Sequence, residues 1–123
     1  MKTLLNLFFG KKKKPKGVFR TRHVTKSMIE ELKMAFLISD DNMIFSTKLL
    51  RDKVDTSTGN ITLFKHYGII EQVMNADEVF LGYWKITKKG VDFINGRIDI
   101  PENVIIYNDK LQGFSGRKIW INT

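Results

Sequence analysis

The stretch "STGNITLFKHYGIIE", residues 57–71, sets Thr58, Thr62, Lys65 and His66 along one side of a short helix when residues are stepped at about 100° each. These side chains suit a polyanion. A threonine contacts a phosphate or packs on a thymine methyl, a lysine pairs with phosphate or guanine, and an imidazole takes a base edge or a phosphate. Ile61, Phe64 and Tyr67 gather on the other side, with Asn60 between them and Leu63 at one edge. Ser57 is placed to cap the start and Gly68 to end the helix in the left-handed conformation. The polar side holds no arginine or glutamine for a bidentate base contact, so a solvated surface is the competing reading.

A second group of cations precedes it. Lys11, Lys12, Lys13, Lys14, Lys16, Arg20 and Arg22 fall in residues 1–22, which contain eight of the 21 Lys and Arg and no acid. The remaining 13 bases are balanced by all 13 Asp and Glu, so the net charge of +8 belongs to this segment and the rest of the chain is neutral. Three readings fit: a solvated tail of like charges, an arm that tracks phosphates and adds salt-sensitive affinity, or a membrane-surface anchor through Leu4, Leu5, Leu7, Phe8 and Phe9. The apolar run is too short to span a bilayer and lacks the charge order and cleavage site of a secretory signal.

Other chemistry has little to work with. There is no cysteine, and His23 and His66 are too few for a metal site. No glycine-rich phosphate loop or nucleophile elbow occurs. Asp40 and Asp41 in "SDDN" read as a polar turn. The expectation is no catalysis, no metal and no cofactor, with a reducing cytoplasm as the fitting compartment.

The elements that must position these residues follow from pattern and caps. A first helix begins near residue 25, with Thr25 or Ser27 as cap, Glu30 and Glu31 in its opening turn, and Met28, Ile29, Leu32, Ala35 and Phe36 inward. Ser46 caps a second helix with Leu49, Leu50 and Val54 inward, and residues 57–67 form the third. "IIEQVM" and "VFLGYWKI" form a hairpin whose tip, residues 75–78, is acidic. Thr87 caps a short fourth helix stopped by Gly96, and two further strands turn at Asn108 and Asp109. Trp84 and Trp120 are assigned to the core. Charge divides the chain into a basic arm, residues 1–22, and one domain, residues 23–123.

Three helices followed by a hairpin is the order of a winged helix-turn-helix. "YWKITKKG" resembles the Tyr, Thr and Gly pattern that closes the wing in such domains, with Gly90 suited to close helix–sheet approach. More broadly, residues 25–121, with "TLFKHYGIIE" and "GYWKITKKGVDFINGRIDIPENVIIYNDKLQGFSG", resemble winged-helix proteins encoded by bacteriophages and mobile elements. Some of those begin with a cysteine-bearing, zinc-ribbon-like segment. The lysine-rich arm stands in its place here, so no metal role carries over.

The resemblance implies an α+β winged-helix fold with a wing, a short fourth helix and a carboxy-terminal β-hairpin. The residues themselves set the functional expectation: an accessory or regulatory DNA-binding role, with the third helix in the major groove and the lysine arm on phosphates. An acidic wing argues for the alternative, a neutral protein-interaction module that modulates host or phage machinery. A homodimer through the carboxy-terminal hairpin is a further partner reading.

Overall fold

The computed structural model describes residues 19–54 and 59–122. Along the chain run β1 (Phe19–His23), α1 (Lys26–Ile38), β2 (Ile44–Ser46), α2 (Thr47–Lys53), a 3₁₀ helix (Gly59–Tyr67), β3 (Ile70–Met74), β4 (Phe80–Ile86), α3 (Lys88–Ile94), β5 (Ile100–Tyr107) and β6 (Lys110–Ile119). The architecture is α+β, with two three-stranded antiparallel sheets ordered β2-β4-β3 and β1-β5-β6. No helix among the described residues is long and apolar enough to cross a membrane.

Side-chain caps set the helix starts. Thr25 Oγ1 accepts from the Met28 amide at 3.2 Å, Ser46 Oγ from the Leu49 amide at 3.0 Å, and Thr87 Oγ1 from the Gly90 amide at 3.0 Å. With Thr25 as cap, the first turn of α1 contains no acid, contrary to expectation; Glu30 lies beyond it and pairs with Lys33, while Glu31 is buried. Met28, Ile29, Leu32 and Ala35 are buried and Phe36 is half-buried. In α2 only Leu50 is fully inward; Val54 is half-buried and Leu49 is exposed.

The predicted third helix is 3₁₀ rather than α over residues 59–67. At three residues per turn, side chains at i and i+3 eclipse. That aligns Ile61, Phe64 and Tyr67 in one row, each at most 2% exposed. Gly59, Asn60 and Thr62 are poor α-helix formers, so little local preference opposes the tighter winding. Gly68 closes the helix at φ 74°, donating its amide to Lys65 O at 3.1 Å.

The hairpin of β3 and β4 turns at residues 75–78 as expected. Asn75 Oδ1 accepts from the amides of Asp77 and Val79, both at 2.9 Å, and Glu78 takes a positive φ of 60°. β2 adds a third strand, pairing Phe45 with Trp84. Thr87 then ties the hairpin's end to α3, its hydroxyl donating to Gly68 O while its amide donates to Ile69 O at 3.0 Å. Gly90 sits where a Cβ would collide with Ile69 O and Ile86 Cγ2, so the helix meets the sheet at backbone distance.

β5 is the central strand of the second sheet. Its turn to β6 is made by Asn108 and Asp109, with φ of 51° and 64°, the both-positive pattern of a type I′ turn. Ile100, Val104 and Ile106 point from β5 into the shared core. Two expectations fail here. Residues 19–22, counted with the arm on charge, form β1, which pairs along its whole length with β5. Trp120 is 45% exposed, whereas Trp84 is 3% exposed and does pack in the core.

Candidate functional site

The strand β1 carries arginines at alternate positions, so Arg20 and Arg22 share one face of the sheet. Their β5 partners on that face are Ile106 and Val104, and Phe114 of β6 lies across Val104. This face turns toward the 3₁₀ helix. Tyr67 and Phe114 meet at 5.0 Å between ring centroids, and Arg22 Nη2 donates to Asn60 Oδ1 at 3.2 Å. At the other end of the sheet's hairpin, Asp109 Oδ2 lies 3.8 Å from Lys65 Nζ. β1, the 3₁₀ helix and the β5–β6 turn therefore converge.

His66 lies inside this convergence. Partial burial holds its imidazole below its ordinary pKa, the Lys65 ammonium pushes the same way, Asp109 opposes it, and Arg22 adds a weaker push downward. A neutral imidazole beside two fixed cations can accept or donate a hydrogen bond without charge, and an arriving anion would favour its protonation. Lys65 is exposed, and Thr62 on the same row of the helix is half-buried. Below them Tyr67 is 2% exposed, and its phenol finds no hydrogen-bond partner among the described residues. Burial, with Glu102 nearby, pushes its pKa up to about 12.

Of the residues singled out from sequence, Arg22, Lys65 and His66 are brought together, and Arg20 lies on the same strand face. Lys11, Lys12, Lys13, Lys14, Lys16, Ser57 and Thr58 lie outside the described residues. Asn60, expected among the inward residues, is exposed and holds Arg22. From sequence Asp109 is a turn residue, and the structure also sets it across from Lys65. Neither role has a local signal, because both depend on segments distant in sequence. His23, expected to be merely solvated, has Nδ1 2.8 Å from Asn103 Oδ1 across the β1–β5 ladder.

Several basic residues that follow the hairpin are paired with acids. Lys88 and Arg97 both pair with Asp92, at 3.3 and 3.0 Å, and hold its carboxyl below the usual range; Arg117 pairs with Glu102 at 3.6 Å. The β3–β4 hairpin has a different character again. Next to its acidic tip, Met74, Val79, Leu81 and Tyr83 are exposed. No protein-family model, curated protein or solved structure matches the chain.

Proposed function

We propose that the chain is a small winged-helix DNA-binding protein of accessory or regulatory role, of the type encoded by phages and mobile elements and acting in the host cytoplasm. The observation that carries this reading is the contact of Arg22 with Asn60 beside His66 and Lys65. Two basic groups far apart in sequence form one surface, and the lysine run at residues 11–16 precedes β1 in the sequence. The 3₁₀ helix would lie toward the major groove and supply placement, while the lysines would neutralise phosphates and supply most of the affinity.

The test is a duplex-DNA titration at two salt concentrations, with the intact chain and a full-length variant carrying glutamine at Lys11, Lys12, Lys13, Lys14 and Lys16. Binding that weakens steeply with salt, and a shallower salt slope in the variant, supports the reading. No binding to any duplex at low salt overturns it. Truncation to residue 25 is the wrong control, because it deletes β1.

A second reading is a protein-interaction module, favoured by the exposed apolar residues beside the acidic hairpin tip. Capture of a host or phage protein that survives nuclease and high salt, and that is lost in Leu81→Asp, supports it.

A further inference from the structure

The hairpin of β3 and β4 presents an unusual surface for a neutral domain. Its strands are out of step near the tip: Gln72 to Met74 on β3 lie opposite Phe80 to Trp84 on β4. The extra residues of β4 bulge around Gly82, whose φ is 88°, and a bulge re-aims the side chains it contains. Leu81 there is 60% exposed, and Met74, Val79 and Tyr83 are each nearly half exposed. Asp77 and Glu78 sit in the turn between the two strands, with no ion pair to a cation among the described residues. The surface is thus apolar with a negative tip. It matches neither solvent nor a phosphate backbone.

One segment of the chain has the complementary composition. Residues 4–9, "LLNLFF", are apolar, and the lysines of residues 11–16 follow at once without an acid. We infer that the hairpin docks this amino-terminal segment of its own chain, with Leu7, Phe8 and Phe9 against Leu81 and Tyr83 and the lysines beside Asp77 and Glu78. The ten residues from Phe9 to Phe19, where β1 begins, reach at most roughly 33 Å when extended. A domain of this size has a radius of gyration of roughly 13 Å and so measures roughly 34 Å across, comparable with the extended tether. Tethering also gives the segment an effective concentration in the millimolar range, about what a short flexible link supplies. This favours the chain's own segment over a second copy. The inference goes beyond the DNA reading and does not depend on it.

Where both hold, the lysines cannot serve the hairpin and a phosphate backbone together, so DNA releases the segment. The absence of cysteine allows a clean test in the full chain. A spin label is attached at Asn6→Cys, and amide intensities of the isotope-labelled protein are recorded without DNA. Loss of intensity at the amides of residues 74–83, restored by Leu81→Asp or by Asp77→Lys with Glu78→Lys, supports the docking. The spectra themselves report whether those exposed-site variants remain folded.

Unchanged hairpin amides, or losses only elsewhere, overturn the docking. A mixed sample, in which label and isotope are on different copies, must leave the hairpin amides unchanged. Loss there assigns the segment to a second copy and overturns the arrangement within one chain. Adding duplex DNA then reports on the DNA reading separately: restored hairpin intensities support competition, and unchanged losses count against it while the docking stands.

Discussion

Arg22 reaches from β1 to Asn60 on the 3₁₀ helix, 38 residues along the chain, and the 3.2 Å hydrogen bond joins the amino-terminal strand to the polar side of that helix. The contact is exposed and engages Nη2, one end of a guanidinium that carries several N–H donors. Arg22→Gln is expected to weaken duplex binding across sequences alike and to lower the salt slope by about 1, as for the loss of a single phosphate contact. Unchanged slope in a titration against salt would remove Arg22 from the interface.

Asp109 stands across from Lys65 on the same surface, where a phosphate would be repelled. Asp109→Asn keeps a residue that tolerates the left-handed turn geometry while deleting the charge. Its expected effect is tighter DNA binding at low salt, with the gain shrinking as salt rises. A variant that binds less tightly would show that the carboxylate positions Lys65 rather than shielding it.

His66 gives the surface a pH dependence. In the free protein its pKa lies below the ordinary value of 6.5, through burial and the cations beside it. A bound phosphate raises that pKa, so binding takes up a proton, and affinity must increase as pH falls through the ordinary histidine range. Titrations above and below pH 6.5 should show this rise, and His66→Asn should flatten it. An equal rise in the variant would assign the effect to another group.

Gly90 marks where α3 touches the hairpin backbone. An added Cβ meets Ile69 O and Ile86 Cγ2, and neither is the far end of a flexible side chain. Gly90→Ala should therefore destabilise the fold by roughly 1–3 kcal/mol, the usual range for overpacking, despite the better helix propensity of alanine. Denaturant unfolding measures it; an unchanged or higher midpoint would contradict the close approach.

Tyr67 carries a buried hydroxyl without a partner among the described residues, with its pKa pushed from 10.0 up to about 12. Between those values the unfolded chain loses this proton and the folded chain keeps it. Stability is therefore unaffected by this group below about pH 10 and falls as pH rises toward about 12. Tyr67→Phe should fold at least as stably at neutral pH, since it removes an unpaired polar group, and should lose that part of the alkaline decline. Unfolding curves at neutral and alkaline pH compare the two.

Most element boundaries were legible because each has a local chemical cause. Thr25, Ser46 and Thr87 are caps, Gly68 and Gly96 are left-handed stops, and Asn108 with Asp109 makes a turn whose geometry few other pairs accept. β1 was not legible. All five of its residues are exposed, so it lacks the alternation of buried and solvated positions by which a strand is recognised. The 3₁₀ winding was hidden for another reason: Ile61, Phe64 and Tyr67 are three apart, which suits either helix over two turns. The site was half visible. Its cations could be read from sequence, but their convergence depends on β1 lying against β5, a relation between residues 80 to 88 apart.

That separation also orders the making of the protein. A nascent chain emerges amino terminus first, yet residues 19–23 have no strand partner until residues 103–107 follow. α1, α2, the 3₁₀ helix and the β2-β4-β3 sheet can all assemble while the first strand waits. Closing β1 onto β5 bears the largest loop-closure cost in the fold and belongs among its last steps. The surface joining Arg22 to the 3₁₀ helix is therefore completed only after residues 103–107 have been made.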